Sequence, residues 1–280
     1  MNTEFLSDYL EDKFGQIAGL ELFRGEHSQS QVFKVSVDGQ GSFFLKLHWS
    51  GRGYKQELHF YQQYAPSLGQ TPKLADMIES ERALLLTAVE GVPCSRLLLA
   101  DRGMFHLKAG EFLKQLHSLA VEDGDIDIDL VDALSQRLER FAREAAEAGA
   151  KEAIQDVAIP LVEHLSQSGP LKRVPCHSDY AEHNWLGSGE CDFRVVDFEH
   201  FGADYFLLDL CQMKARAWAS EPGLQKAFFT GYERELSEWE DRFLHLWSLL
   251  WSYSTVFWSR RQGDKRSERV GLQAIKFLTA

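Results

Sequence analysis

The chain has 280 residues, 44% of them hydrophobic, enough for one large α/β body or two lobes with a substantial core, which excludes a disordered or fibrous chain. Its formal net charge of −12 argues against a nucleic-acid partner, which needs a broad basic face. The charge suits a cationic ligand only weakly, because acidity for solubility explains it better.

Residues 1–15 are acidic and amphipathic and lack the basic and apolar regions of a secretory signal, so export is not expected. Gln31 to Val37 (QVFKVSV) and Ser42 to His48 (SFFLKLH) are predicted strands, joined by a hairpin turn at Asp38-Gly39-Gln40-Gly41. A helix is predicted from Lys55 to Tyr64 and a buried strand from Arg82 to Val89. After Gly91-Val92-Pro93 the pattern turns helical, clearest at Leu107 to Leu119 and Val131 to Ala148, so a boundary is expected near residue 91, dividing 1–91 from 92–280. A strand-like patch spans Cys191 to Phe198, and long helices follow to the end. Seventeen uncharged residues, Phe243 to Ser259, include His245 and several hydroxyls and read as a buried aromatic helix rather than a membrane span. Cys94, Cys176, Cys191 and Cys211 form no C-x-x-C pair and point to reduced packing thiols in a cytoplasmic protein.

Chemistry concentrates in residues 174–200, VPCHSDYAEHNWLGSGECDFRVVDFEH, which hold His177-x-Asp179-x-x-x-x-Asn184 and then Asp197 at the end of an apolar strand. Phosphoryl transfer explains this set of groups. A hydroxyl nucleophile requires a carboxylate to orient it and accept its proton, a role open to Asp179. Magnesium, which neutralises the transferring phosphate, prefers oxygen ligands such as the Asn184 amide and the Asp197 carboxylate. The chain has only two asparagines, Asn2 and Asn184, and one falls at this metal position. A polar loop that gathers His, Asp and Asn as turn formers is the competing explanation.

The motif resembles that of the aminoglycoside phosphotransferase and choline kinase family, small-molecule relatives of the protein kinases, with matching segments in order from about Leu22 to Leu210. That family usually has H-G-D-x-x-x-x-N; this chain has Ser178 for the glycine and His183 before the asparagine. The resemblance implies an α+β, protein-kinase-like bilobal fold, with a small N-terminal β-sheet lobe carrying one helix and a larger, mostly helical C-terminal lobe. It implies that the first lobe binds ATP. Lys46 matches the strand lysine that pairs with the α- and β-phosphates, and Glu57 matches the helix glutamate that orients it. Ser28, in a segment with one glycine rather than a glycine-rich run, matches a phosphate-covering serine. Leu86 stands at the gatekeeper position, with Thr87 and Val89 supplying backbone contacts to adenine. His117 and Asp209 match structural positions, Asp209 bracing the catalytic loop.

The expected activity is therefore ATP- and magnesium-dependent phosphorylation of a hydroxyl on a small molecule. The alternatives are a choline, ethanolamine, amino-alcohol or sugar kinase, a kinase-fold nucleotide-binding regulator, and a nucleotidyl transferase. A protein kinase is disfavoured by Asp197-Phe198-Glu199 in place of D-F-G and by the absence of an A-P-E segment. No histidine and cysteine spacing matches a zinc pattern, and Asp125-Ile-Asp127-Ile-Asp129 lacks the glycine of a calcium loop. For the acceptor, Asp125, Asp127, Asp129, Glu238, Glu240 and Asp241 are candidates for binding amines. Trp247, Trp251, Tyr253 and Trp258 are candidates for caging a quaternary ammonium, although their near-helical spacing is more typical of core.

Overall fold

The computed structural model describes residues 3–15, 17–24, 30–39, 41–121, 129–188 and 192–280. The chain divides into two compact units, one formed by Met1–Val92 with Leu186–Phe201 and the other by Pro93–Trp185 with Gly202–Ala280.

The first unit opens with helix α1 (Thr3–Phe14) and strands β1 (Ile17–Arg24), β2 (Ser30–Val37) and β3 (Gly41–His48). Helix α2 (Gly51–His59) runs into a π-helical turn, Phe60–Tyr64, and strands β4 (Leu74–Ile78) and β5 (Ala83–Thr87) complete an antiparallel sheet of order β1-β2-β3-β5-β4. Side chains alternate along a strand, so Phe33, Val35 and Val37 of β2 and Leu45 and Leu47 of β3 share one face and pack with Leu6 and Leu10 of α1. Lys46 lies between Leu45 and Leu47 and therefore emerges on the other face. The short strand β6 (Val92–Pro93) ends this part of the chain.

Helix α2 begins four residues before the expected Lys55. Gly51 and Gly53 obscure its start in the sequence, but Ser50 caps it, its hydroxyl accepting the Gly53 N–H at 2.9 Å. In the π-helical turn, Phe60 stacks on Phe198, with ring centroids 3.5 Å apart, and so anchors the residue that follows Asp197.

The second unit contains α3 (Leu99–Ser118), α4 (Leu130–Glu147), the short α5 (Lys151–Ala153), α6 (Ile159–Leu165) and strand β7 (Arg173–Cys176). Strand β8 (Trp185–Ser188) starts here and continues into the first unit, where β9 (Asp192–Val195) follows. Back in the second unit, β10 (Gly202–Tyr205) pairs antiparallel with β7, Cys176 opposite Gly202. Then come α7 (Cys211–Met213), a π-helical continuation Lys214–Trp218, α8 (Pro222–Tyr232), α9 (Glu238–Gln262) and α10 (Lys265–Leu278). The fold is α+β, an antiparallel sheet unit followed by a mostly helical one.

Helices α3 and α8 touch backbone to backbone. A Cβ on Gly110 would lie 2.1 Å from the Phe228 carbonyl oxygen, and one on Gly231 would lie 2.0 Å from the Leu107 carbonyl oxygen. Only glycine fits at either place. The apolar stretch 243–259 lies inside α9, where Phe243, Leu244, Ser248 and Ser252 are fully buried. Among the described residues, no helix is long and apolar enough to cross a membrane.

Candidate functional site

In the first unit, Lys46 is the centre of a buried charge cluster. Its ammonium lies 2.6 Å from Glu57 Oε2, 2.6 Å from Asp197 Oδ1 and 3.2 Å from Glu199 Oε2. Lys46 is 5% exposed and Glu57 is fully buried. Burial alone would push the lysine pKa down, but the charges of Asp197, Glu57 and Glu199 outweigh it and drive the pKa above the ordinary lysine value. Burial would likewise raise Glu57; Lys46 and the hydrogen bond from His48 overcome it and hold the carboxyl below its usual range.

Glu57 is held from several directions. Its Oε1 accepts the Phe198 N–H at 3.2 Å, and its Oε2 lies 2.6 Å from His48 Nε2. The other ring nitrogen of His48 donates to the Arg82 carbonyl at 3.1 Å. The helix glutamate is thus tied to the strand lysine, to the strand histidine and to the backbone beside Asp197.

Asp197 has φ of +72°, in the left-handed region that aspartate tolerates better than most residues. Glu199 enters the cluster two residues later. Its buried Oε2 makes no hydrogen bond, although the Lys46 ammonium lies near it. One ammonium therefore faces three carboxylates, and the excess of negative charge fits a divalent cation with oxygen ligands.

At the end of β5, Thr87 directs its N–H to the Lys73 carbonyl and accepts the Lys73 N–H on its hydroxyl, both at 2.9 Å. The Val89 N–H has no hydrogen-bond partner among the described residues. Ser28 lies outside the described residues.

In the second unit, residues 177–184 form the loop between β7 and β8. Asp209 braces its start, accepting the His177 N–H at 2.9 Å and the Ser178 N–H at 2.6 Å, and also meeting His117 Nε2 at 3.1 Å. His117 reaches the Tyr232 hydroxyl through its other nitrogen, at 2.8 Å. Tyr180 donates its hydroxyl to the Ala109 carbonyl of α3 at 2.8 Å. Glu182 accepts from Arg102 Nε at 2.8 Å and meets His106 Nε2 at 2.9 Å. The Trp218 indole donates to His106 Nδ1 at 3.2 Å, so the proton of a neutral His106 sits on Nε2, facing Glu182. Three anchors on α3 and Asp209 fix this loop before any ligand arrives.

Within the loop, Asp179 Oδ1 accepts from the Gln212 amide at 2.6 Å, and Oδ2 accepts from the Asn184 amide at 3.0 Å with His183 3.5 Å away. Burial raises the Asp179 pKa, but His183, Gln212 and His177 reverse the effect and bring it to about 2. Asn184 also donates to the Asp179 carbonyl at 2.9 Å. Its nitrogen is spent on Asp179, and its amide oxygen, without a partner among the described residues, is left for a hard cation.

Several of the residues proposed from sequence for binding the acceptor have other partners. Asp129 caps α4, and Glu240 completes a capping box with Ser237 at the start of α9. Asp241 lies 3.8 Å from Lys214. Trp247 is buried against Phe243, and the Trp251 ring is covered by the Arg216 guanidinium at 5.0 Å. Asp125 and Asp127 lie outside the described residues. Asp204 meets Arg137 at 2.6 Å.

A model of the phosphotransferase enzyme family matches residues 19–247, well over half of the chain. The chain belongs to that family. Among solved structures, it resembles the apo form of a thermostable mutant of aminoglycoside phosphotransferase APH(4)-Ia, at 14% identity and TM-score 0.76, with 98% of each chain covered. ADP-bound aminoglycoside phosphotransferase APH(2'')-Ib is similar at 16% identity and TM-score 0.71, covering 99% of this chain and 97% of that one. Spectinomycin phosphotransferase APH(9)-Ia, in complex with ADP and spectinomycin, follows at 14% identity and TM-score 0.69, with 99% and 97% covered. No curated protein sequence matches the chain.

For this phosphotransferase-family member, the departure at Ser178 has a conformational meaning. Ser178 has φ of +66°, where a side chain is disfavoured and glycine is not. Because Ser178 is exposed and its N–H bonds Asp209, substitution by glycine should relieve strain without loss of a contact. Ser178→Gly is expected to stabilise the chain by about 1 kcal/mol, read as a higher urea midpoint at unchanged slope. A lower midpoint would show that the serine is not strained there.

Proposed function

We propose that the chain is an ATP- and magnesium-dependent kinase that transfers the γ-phosphoryl group to a hydroxyl of a small molecule. The observation that carries this reading is Asp179: an ionised carboxylate held by Gln212 and Asn184, on a loop anchored at both ends, with the Asn184 amide oxygen left over for a cation. The buried cluster of Lys46 with three carboxylates supports it independently.

In this reading the unit containing Lys46 binds the nucleotide and the unit containing Asp179 binds the acceptor. The Thr87 carbonyl and the Val89 N–H meet the adenine edge, and Lys46, held by Glu57, neutralises the α- and β-phosphates. Asn184 and Asp197 hold magnesium, which when bound offsets the charge on the transferring phosphate. Asp179 orients the acceptor hydroxyl and takes its proton as the new P–O bond forms, and the old one breaks to release ADP. A carboxylate already turned toward two donors loses little further freedom when the hydroxyl arrives.

The test is ADP release over a panel of aminoglycosides, other antibiotics, choline, ethanolamine, sugars and amino and hydroxy acids, with magnesium-dependent ATP binding measured alongside. Turnover with any acceptor supports the proposal. Absence of turnover together with absence of magnesium-dependent ATP binding overturns it.

A further inference from the structure

Gln212 and Arg216 stand four residues apart on the continuous helix formed by α7 and its π-helical extension, so their side chains leave the same face about one turn apart. The Gln212 amide touches Asp179 at 2.6 Å, which puts Arg216 one turn farther along the surface that leads away from Asp179. The guanidinium of Arg216 lies over the ring of Trp251 at 5.0 Å. A cation–π contact consumes none of the five N–H donors of the guanidinium, which stay available to bind an oxyanion, in bidentate fashion where the ligand allows it.

Those donors have no protein partner among the described residues. Among the described residues, Arg216 makes neither an ion pair nor a hydrogen bond, whereas its neighbour Lys214 is engaged by Asp241 and Gln225. Arg216 keeps a solvent-exposed surface, yet burial is the largest influence on it and pushes its pKa down. The charges it feels are Asp179, which favours its ionised form, and Arg266, which opposes it. Asp179 is already satisfied by Gln212 and Asn184. The side chain of Arg266 likewise has no carboxylate within ion-pair distance among the described residues. Among the described residues two guanidiniums without ion-pair partners thus lie close enough to repel each other, and one of them, Arg216, close enough to feel Asp179, while Asp129, Glu240 and Asp241 are spent on helix caps and Lys214.

We infer that Arg216 receives an oxyanion, a carboxylate or a phosphate ester, on the molecule whose hydroxyl Asp179 orients, so that the acceptor is a hydroxy acid or hydroxy phosphate and not a polyamine. The inference rests on the kinase reading of Asp179 and narrows its acceptor class. A cationic acceptor would meet Arg216 and Arg266 as like charges. A hydroxy acid would pair its anion with the Arg216 guanidinium and leave its hydroxyl one helical turn away, beside Asp179.

The experiment compares short hydroxy acids, the matching hydroxy amides, the matching amino alcohols and the matching hydroxy phosphates in ADP release, using wild type and Arg216→Gln. Wild type is expected to prefer the acid or the phosphate over the amide by roughly 10- to 100-fold in kcat/KM. In Arg216→Gln that preference should fall to near parity through the KM of the anionic acceptor, with the KM for ATP as internal control. The acid and phosphate arms identify which oxyanion is used. Preference for amino alcohols in wild type, or an anion preference that survives in Arg216→Gln, overturns the inference and leaves the kinase reading standing.

A second readout needs neither turnover nor a folded variant. Phenylglyoxal labelling of wild-type arginines, mapped by peptide mass, should be blocked at Arg216 by the hydroxy acids or by inorganic phosphate, with exposed Arg143 labelled equally throughout. Equal labelling of Arg216 with and without every anion overturns the proposal.

Discussion

Asp179→Asn should lower kcat by roughly 10²- to 10⁴-fold while changing the KM for ATP little, because in the proposed role the lost group acts on the acceptor hydroxyl and not on the nucleotide. Asparagine is nearly isosteric, so Gln212 and the anchors at Asp209 and Glu182 should keep the loop in place. The pH profile adds a sharper expectation. Burial would raise the Asp179 pKa, but His183, Gln212 and His177 bring it to about 2. A carboxyl whose folded pKa is depressed favours the folded state above its unfolded value of about 3.9 and loses that contribution as pH falls toward 2. Activity should therefore show no acid limb from Asp179 above about pH 4. A limb near pH 5 to 6 in wild type that vanishes in Asp179→Asn would falsify the assignment of so acidic a base. The low pKa also makes Asp179 a weak base toward a resting alcohol. Proton transfer is then expected late, after the oxygen has begun to bond phosphorus, with orientation as the main earlier contribution.

Lys46→Met should destabilise the ligand-free chain by about 3–5 kcal/mol, since it removes the one ammonium that faces Glu57, Asp197 and Glu199 in a buried setting. The cost comes from removing the ammonium that these carboxylates share, so a second change at Glu57 to glutamine should recover part of it. Urea unfolding of the two single variants and the double variant measures the coupling. An unfolding free energy for Lys46→Met within about 0.5 kcal/mol of wild type would place the lysine outside the cluster's energetics. The pH sign follows from the same charges. With its pKa raised, Lys46 stabilises the fold fully below the unfolded value of about 10.4 and keeps doing so until pH climbs past the folded value. The variant should thus differ from wild type by a constant amount between pH 7 and 9.

Much of the fold and part of the candidate site were legible in the sequence, for reasons tied to period and type. Ser42 to His48 reads as a strand with a lysine inside an apolar run, and in the structure Leu45 and Leu47 share the core face while Lys46 emerges on the other. Asp179, Asn184 and Asp197 are close in sequence, and their residue types carry the chemistry directly. The partners that tune them were not legible. Gln212 reaches Asp179 from 33 positions away. Glu182 sits inside the motif, but its purpose depends on Arg102 and His106 one turn apart on α3. His48 and Glu199 look like ordinary polar residues until the sheet and the segment after Asp197 bring both to the Lys46 and Glu57 pair. Arg216 gave no signal, because being unpaired is a property of its surroundings. The start of α2 was hidden by two glycines with poor helix propensity, which the Ser50 cap overrides.

Ser178 also bears on how relatives of this chain are to be recognised. What the loop requires at that place is a torsion angle and a backbone N–H aimed at Asp209, and serine supplies both at some conformational expense. A text pattern that insists on glycine there would pass over this chain, although the loop geometry is intact. A search that scored the sign of φ at the residue before Asp179, together with an acid placed to catch two successive amides, would retrieve it whatever letter stood in the gap.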